Sequence, residues 1–254
     1  MNQAMTESDA KTSGAPRVAI PMPHSGDRAY AERAVKQYEE AVRLAGGEPV
    51  RIELAQSASQ VMKEVESCEA VLLPGSRADV DPEKFREARH PKTNEIDSVR
   101  ESVDRLLLDD AYRARKPVLC ICYGLQSLNV YRAGSLVQHI ESDINHGAGG
   151  AVRHAHDVTI DCKSRLAEIV GSRSGQPIAV NSSHHQSVKV PGDGLQIVAT
   201  SPTDAVVEAL EGTAPDHFVL GVQWHPERSV RDDPKLAESA QKIFRAFIGA
   251  ARKS

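Results

Sequence analysis

The sequence predicts an α/β protein with a central, mostly parallel sheet, helices on both faces and an antiparallel extension in the C-terminal half. Short apolar segments alternate with helical patterns along the first half of the chain, which is typical of a parallel sheet covered on both faces. Two of these segments run directly into glycine-containing turns. The second half contains mainly extended segments and ends in one long amphipathic helix, which indicates an antiparallel extension of the same sheet.

The first half follows the order strand, helix, strand, helix, strand. The predicted elements are a strand at 17–22, a helix through Ala34 to Ala45, a strand at 49–54, a helix through Val61 to Cys68 and a fully apolar strand at 70–73. Gly46-Gly47 ends the first helix, because glycine tolerates a positive φ. Active sites of such sheets lie at the carboxyl ends of the strands, so the turn at Pro74-Gly75 is a candidate functional position.

The middle of the chain leads to a second such turn. Residues 77–94 are polar, contain two prolines and are expected to form a long surface loop that could overhang the site. A helix at about 95–115 delivers the chain to an apolar strand that begins near Lys116. This strand turns sharply at Cys122-Tyr123-Gly124 and continues as a helix.

The second half is less regular. Its predicted elements are a turn and short extended piece at 134–138, a glycine-rich loop at 141–153, strands at 156–160, 177–180, 195–200, 205–210 and 218–223, a short helix at 165–170 and a final helix at 234–248. The final helix carries one apolar stripe and should pack on the sheet.

Composition excludes several classes of function. The chain of 254 residues has a net charge of −4 and no long block of lysine and arginine, so we expect neither nucleic-acid nor membrane binding. Four cysteines are few for this length and indicate reduced thiols in the cytoplasm. Residues 1–16 are polar, resemble no signal peptide and are expected to form a flexible tail. Residues 17–254 are expected to form a single domain.

The strand-to-helix turn makes Cys122 the candidate nucleophile. Such a turn exposes the side chain and places it at a helix N-terminus, whose positive field favours the thiolate. If the chain is still extended after residue 223, His225 and Glu227 point to the same side, so that His225 can act as base and Glu227 can orient its ring. The backbone N–H groups of Tyr123 and Gly75 are the natural pair for the oxyanion hole.

The cysteines and histidines offer only weak signals for a metal site. Cys120 and Cys122 form a Cys-x-Cys pair, which is weak without a second pair of cysteines. Loop histidines are more often solvated or hydrogen-bonded than bound to a metal; the candidates are His146, His154, His156, His184 and His185. The sequence interpretation therefore assigns no metal and no cofactor.

Five motifs resemble class I glutamine amidotransferase-like proteins, which have a flavodoxin-like fold, and more narrowly the peptidase C26 group, whose members include γ-glutamyl-γ-aminobutyrate hydrolases. They are Pro-Gly-Ser-Arg-Ala-Asp-Val-Asp-Pro (74–82), Cys-Ile-Cys-Tyr-Gly-Leu-Gln-Ser-Leu-Asn-Val (120–130), Gly-Ser-Leu-Val-Gln (134–138), Asn-Ser-Ser-His-His-Gln (181–186) and Gly-Val-Gln-Trp-His-Pro-Glu (221–227). The resemblance covers nearly the whole chain after Pro16, and the motifs follow the family's order.

The resemblance implies roles for individual residues. It makes Cys122 the nucleophile, His225 the base and Glu227 its partner, in agreement with the spacing. It further implies that three residues line the pocket for the glutamyl part of a substrate: Gln126, Ser183 and His184. The sequence departs from the hydrolase pattern at two positions, since Cys120 replaces the usual first glycine of the turn and Tyr123 resembles the tyrosine of nucleotide-making amidotransferases.

The function expected from the resemblance is hydrolysis of a small γ-glutamyl amide, similar to γ-glutamyl-γ-aminobutyrate, by a cytoplasmic enzyme of polyamine catabolism that forms a thioester and uses no cofactor. One alternative is the glutaminase subunit of an amidotransferase that delivers ammonia to a separate synthase. Another is a non-catalytic binding or regulatory protein of the same fold. A synthase partner belongs only to the first alternative, and a homodimer is compatible with the sequence.

Overall fold

A computed structural model describes residues 14–172, 174–232 and 234–253. In chain order, the elements are β1 (Arg17–Pro21), α1 (Arg28–Leu44), β2 (Glu48–Ile52), α2 (Ala58–Glu66), β3 (Ala70–Leu73), α3 (Ser98–Ala114), β4 (Val118–Ile121), α4 (Tyr123–Tyr131), β5 (Ser135–Val137), β6 (His156–Ile160), α5 (Arg165–Val170), β7 (Ile178–Val180), β8 (Ser187–Val190), β9 (Leu195–Thr200), β10 (Val207–Gly212), β11 (Val219–Val222) and α6 (Pro234–Ala251). Two short 3₁₀ helices, Pro82–Phe85 and Pro226–Arg228, complete the described elements.

The main sheet has nine strands in the order β2-β1-β3-β4-β11-β10-β9-β6-β7. The first five strands of this order are mutually parallel, and the pairs from β11 to β7 are antiparallel. The predicted parallel sheet with an antiparallel extension is therefore confirmed. Because β4 lies between β3 and β11, the carboxyl ends of these three strands meet at one edge of the sheet.

Helices cover both faces of the sheet. Helix α6 contacts both α1 and α5, whereas α3 contacts both α2 and α4. All residues of the central strands β3, β4 and β11 are buried, which explains their uniformly apolar sequences. In the described part of the chain, every helix is too short or too polar to cross a membrane.

The buried guanidinium of Arg100 forms hydrogen bonds to the segments that follow strands β1 and β3. From α3, it donates to the carbonyl oxygens of Pro23 at 3.0 Å and Pro74 at 2.9 Å, just beyond β1 and β3. Its Nε lies 2.6 Å from Oδ1 of Asp104 one helical turn later. The side chain is fully buried, so that these acceptors replace the water that a charged group would otherwise require.

The structure differs from the predicted elements at β8 and in the segment 77–94. Strand β8 was missed, because Ser187–Val190 carries only a short alternating pattern and pairs with β5 in a separate two-stranded sheet. The segment 77–94 is less loop-like than predicted, since Pro82–Phe85 is helical and Ala78, Asp79 and Val80 are buried. Of the predicted tail, residues 1–13 lie outside the described residues, and residues 14–16 have no regular structure.

Candidate functional site

Cys122 occupies a sharp turn between β4 and α4. Its backbone has φ 54° and ψ −108°, a conformation that costs a non-glycine residue free energy and is typical of functional sites. Its N–H donates to the carbonyl oxygen of Val222 on β11 at 2.8 Å. Gly124 must lack a side chain, because a Cβ there would collide with the carbonyl oxygen of Leu73. The turn is thus held between β3 and β11.

The thiol of Cys122 is almost completely buried. Burial raises its pKa to about 12, although the positive charge of Arg228 and the N–H of Tyr123 act in the opposite direction. The turn does not expose the thiol as the sequence led us to expect, and the cost of burying a charge opposes the thiolate that the N–H of Tyr123 at the start of α4 favours. A protonated thiol needs a base before it can attack a carbonyl group.

His225 presents an unoccupied ring nitrogen near this thiol. Its Nδ1 lies 2.8 Å from Oε1 of Glu227, whereas Nε2 has no hydrogen-bond partner among the described residues. Burial lowers the pKa of the imidazole despite the neighbouring carboxylate, so the ring is neutral near pH 7. Burial opposes ionisation of Glu227, but its hydrogen-bonding contact with the ring of His225 and the positive charge of Arg228 hold the pKa of Glu227 below its usual value.

The backbone around His225 is not extended as predicted. Strand β11 ends at Val222, and Pro226–Arg228 forms a 3₁₀ turn. The two side chains therefore meet through a tight turn and not through the alternation of a strand. Asn181 fixes the start of this turn, since its side chain accepts from the N–H of His225 at 2.9 Å and donates to the carbonyl oxygen of His225 at 2.8 Å.

Gly75 lies directly against the side chains of Cys122 and His225. A Cβ at this position would be 3.0 Å from Cε1 of His225, 3.5 Å from Cβ of Cys122 and 3.0 Å from the hydroxyl oxygen of Tyr38. The N–H of Gly75 donates to that hydroxyl at 3.0 Å. One of the two expected oxyanion donors therefore already has a partner, which the sequence did not indicate because Tyr38 lies on α1, 37 residues before Gly75.

Cys122 and His225 line a cavity of about 380 Å³. Its remaining walls are Tyr30, Ser76, Arg77, Ala78, Asp79, Asn94, Tyr123, Gln126, Gly150, Ser183, His184, His185, Gln186 and Arg228. All three residues that the resemblance implied for the pocket therefore lie there. Gln126 is itself held in place, since its Nε2 donates to the carbonyl oxygen of Gln186 at 3.1 Å and to Oε1 of Gln223 at 3.2 Å.

The sequence interpretation assigned no role to the charged residues Asp79 and Arg228, which line the cavity. Asp79 accepts from the N–H of Asn94 at 2.7 Å and lies 3.0 Å from Nε2 of His185. Nη1 of Arg228 is buried and lacks a hydrogen-bond partner in the described residues. The sequence could have indicated both residues by their positions, because Arg228 directly follows Glu227 and Asp79 lies within the motif 74–82.

Side chains that could hold a metal ion lie beside the cavity. His146, His156, His184 and Glu208 are buried, and their potential ligand atoms lie within 4.8 Å of one another. The sequence interpretation treats these three histidines separately and assigns no metal. The sequence gives no sign that Glu208 lies between them.

Similar folds occur among solved structures. The chain matches a Thermoplasma acidophilum protein, provisionally described as a GMP synthase subunit, with a TM-score of 0.61 and 14% identity, over 94% of this chain and 95% of that one. It matches the PurLQS structure from Thermotoga maritima with a TM-score of 0.59 and 18% identity, over 92% of this chain and 98% of that one. At these identities the matches show a shared fold.

Sequence relatives fall under two kinds of name. A Mycobacterium tuberculosis protein with a provisional name as a glutamine amidotransferase, Rv2859c, is 34% identical over 218 residues, which are 84% of this chain and 66% of that protein. The chain thus spans just under two thirds of that relative. The γ-glutamyl-γ-aminobutyrate hydrolase PuuD of Escherichia coli K12 is 28% identical over 225 residues, 84% of this chain and 85% of that protein. A family model described as peptidase C26 matches residues 19–227, and the chain belongs to this family of glutamine amidotransferase-like hydrolases.

Proposed function

We propose that this protein hydrolyses the γ-glutamyl amide bond of a small γ-glutamyl compound, similar to γ-glutamyl-γ-aminobutyrate, and releases glutamate and an amine. One observation carries the proposal: Cys122 and His225 line the same cavity, and Nε2 of His225 has no hydrogen-bond partner among the described residues. The hydrogen bond from Nδ1 to Glu227 orients that ring. A nucleophile, a base and an orienting carboxylate are the groups that acyl transfer through a covalent intermediate requires.

In the first half-reaction, Nε2 of His225 takes the proton of the thiol while Sγ of Cys122 attacks the γ-carbonyl carbon. The C–N bond then breaks, and the imidazolium returns the proton to the departing amine. In the second half-reaction, His225 takes a proton from the water that attacks the thioester, the C–S bond breaks to release glutamate, and the imidazolium returns its proton to the thiolate of Cys122. Glu227 stabilises the imidazolium in both halves.

Backbone groups at the turn supply the oxyanion donors in this proposal. The N–H groups of Tyr123 and Gly75 are assigned to the developing negative charge. Gly75 can donate to it only when the hydroxyl of Tyr38 gives up its present hydrogen bond. Substrate entry would therefore exchange one acceptor of the Gly75 N–H for another.

The cavity suits a small zwitterionic acyl group. The buried, unpartnered Nη1 of Arg228 matches an α-carboxylate, since guanidinium groups bind carboxylates through directed hydrogen bonds. The carboxylate of Asp79 provides a counter-charge for an α-ammonium group. Gln126, Ser183 and His184 complete the proposed glutamyl pocket, whose volume of about 380 Å³ is at the low end of the range for small-molecule sites.

A substrate panel tests the proposal directly. Purified protein is incubated with γ-glutamyl-γ-aminobutyrate, other γ-glutamyl amines and glutamine, and glutamate release is measured, with Cys122→Ala as the inactive control. Mass spectrometry of acid-quenched samples should detect a γ-glutamyl adduct on Cys122. If no substrate in the panel gives glutamate above the Cys122→Ala background, the hydrolase proposal fails.

The second candidate is a glutaminase subunit of an amidotransferase. Tyr123 and the names of several relatives favour it. This candidate predicts slow glutamine turnover by the isolated chain that rises sharply when a synthase is added. Equal turnover of glutamine in the presence and absence of proteins co-purified from the source cells, together with faster turnover of γ-glutamyl amines, would exclude it. A protein with a purely binding function would fail to react with a thiol-reactive glutamine analogue at Cys122.

A further inference from the structure

Three imidazole rings and one carboxylate converge in a buried cluster that no step of the proposed reaction uses. His146 lies in the loop before β6, His156 begins β6, His184 follows β7 and Glu208 belongs to β10. All four side chains are almost inaccessible to solvent. The ring centroid of His146 is 4.5 Å from that of His156 and 5.0 Å from that of His184.

The outer nitrogen of each ring already has a partner. Nδ1 of His156 lies 3.1 Å from the carbonyl oxygen of Asp157, and Nδ1 of His184 lies 2.9 Å from that of Gln186. Because a carbonyl oxygen only accepts, each Nδ1 carries the proton in a neutral ring. Nε2 of His146 likewise faces the carboxylate of Asp204 at 2.9 Å. These contacts fix the tautomers and turn the second nitrogen of each ring into an acceptor that points inwards.

The inward atoms consequently lack hydrogen-bond donors. Nδ1 of His146, Nε2 of His156 and Nε2 of His184 have no hydrogen-bond partner in the described residues, and neither does either carboxylate oxygen of Glu208. Buried polar atoms are rarely left in this state. Inward-facing acceptors that lie this close together form an environment that a cation would stabilise.

The distances from Glu208 to the three rings are close to those of tetrahedral coordination, within a cluster whose potential ligand atoms lie up to 4.8 Å apart. Oε1 of Glu208 is 3.3 Å from Nδ1 of His146 and 3.5 Å from Nε2 of both His156 and His184. With zinc–ligand bonds of about 2.0–2.1 Å, neighbouring ligands of a tetrahedron are roughly 3.3–3.4 Å apart. Each ring also has the outer hydrogen-bond partner that metal-bound histidines use for orientation.

We propose that His146, His156, His184 and Glu208 form a binding site for a divalent transition-metal ion, and that Zn²⁺ is its ligand. Three neutral imidazoles and one carboxylate favour zinc over the hard cations Mg²⁺ and Ca²⁺, which prefer oxygen ligands. The four ligands complete a tetrahedron, as in structural zinc sites. The ion therefore has a structural role and leaves the thiol chemistry to Cys122.

The site would anchor one wall of the catalytic cavity. His184 belongs both to the cluster and to the cavity wall, and its N–H donates to the carbonyl oxygen of His146 at 2.9 Å. The carbonyl oxygen of Glu208 accepts from the N–H of Gln223 at 2.7 Å, two residues before His225. A bound ion would thus connect the loop 181–186 with the strands β6 and β10.

Metal content tests the inference independently of any hydrolase activity. Untagged protein is equilibrated with Zn²⁺, dialysed against metal-free buffer and measured by plasma mass spectrometry, with about one zinc per chain expected. Glu208→Gln and His156→Gln should each lose most of the zinc. His154→Gln is the matched control, because its ring is exposed and pairs with Asp157 outside the cluster. Cys122→Ala should also retain the zinc, which separates this site from the active-site thiol.

Two measurements on the unaltered chain cover the case in which a variant fails to fold. Removal of zinc by a chelator should lower the Tm, and addition of Zn²⁺ should restore it. Substitution by Co²⁺ should give the intense visible absorption of a tetrahedral site. The inference is overturned if the unaltered chain retains no zinc after dialysis, or if Cys122→Ala abolishes binding while Glu208→Gln does not.

Discussion

His225 and Glu227 form a 2.8 Å contact between Nδ1 and Oε1 across the start of the 3₁₀ turn that follows β11. Asn181 holds both backbone polar groups of His225, and Nε2 remains directed at the cavity without a hydrogen-bond partner in the described chain. The turn therefore places the ring of His225 against Gly75, which also lies next to Cys122.

Replacement of Glu227 should affect the reaction more than the stability. In Glu227→Gln, the amide cannot stabilise an imidazolium, so we expect kcat to fall by about 10³–10⁴-fold while KM changes little. Steady-state kinetics with the best substrate of the panel provide the measurement. Glu238→Gln is the control, since its side chain is exposed on α6. A fall in kcat of less than threefold would contradict the role assigned to Glu227.

The pH dependence should reveal a neutral thiol and a neutral imidazole. The pKa of His225 is lowered by burial, and the ring must be unprotonated to act as base. The acid limb of kcat/KM should therefore have its midpoint below about 6.5. The value of kcat/KM should already have reached its plateau at pH 7, and it should fall as the pH decreases through the lowered pKa of His225.

The pH dependence of the alkylation rate of Cys122 should show whether its thiol is protonated. Because burial raises the pKa of Cys122 to about 12, its reaction with iodoacetamide in the absence of substrate should accelerate about tenfold per pH unit between pH 7 and 10. Intact-mass measurements in a Cys162→Ser background remove the contribution of the exposed cysteine. A rate that is already constant above pH 8 would show a thiolate and refute the prediction.

Tyr38→Phe should free the N–H of Gly75. The hydroxyl of Tyr38 accepts this hydrogen bond at 3.0 Å, and one neutral hydrogen bond contributes about 1 kcal/mol. We therefore expect kcat/KM to rise by roughly twofold to fivefold, with the purified variant compared side by side with the unaltered protein. A loss of more than tenfold would instead indicate that the hydroxyl itself stabilises the transition state.

Asn181→Ala should loosen the turn that carries His225. It removes the hydrogen bonds to the backbone N–H and carbonyl oxygen of His225 and leaves both groups buried without those partners. The free energy of unfolding should fall by about 2–4 kcal/mol, and kcat should fall with it. Ser229→Ala is the matched control, because it removes only the third partner of Asn181 and should cost less than about 1.5 kcal/mol. Urea denaturation measures the free energy of unfolding of both variants. Equal losses in the two variants would show that the hydrogen bonds from Asn181 to the backbone of His225 do not stabilise the turn.

Arg100→Met should be strongly destabilising, because it removes the charge that compensates Asp104 in the interior. Both side chains are fully buried, and loss of one partner of such a pair costs about 3–5 kcal/mol. The double variant Arg100→Met/Asp104→Leu should recover part of this loss in urea denaturation. If the two single losses simply add in the double variant, the proposed coupling between Arg100 and Asp104 is absent.

Much of the architecture could be predicted because its signals are local. The uniformly apolar segments of β3 and β4 indicate strands buried on both faces, and the turns that follow them place Gly75 and Cys122 at one edge of the sheet. Strand β8 escaped prediction since two exposed positions and a length of four residues leave almost no periodic signal. The candidate residues Cys122, His225 and Glu227 were likewise recognisable from motifs a few residues long.

The amino-acid sequence alone predicted the order of the elements apart from β8. It also indicated the sheet edge where the candidate site lies and the three side chains proposed for the chemistry. Three features required the folded chain: the thiol is buried and protonated, Tyr38 occupies the N–H of Gly75, and Glu208 lies between three histidines. Solvation and long-range hydrogen bonding depend on which distant segments pack together, whereas periodicity and turn chemistry are properties of neighbouring residues.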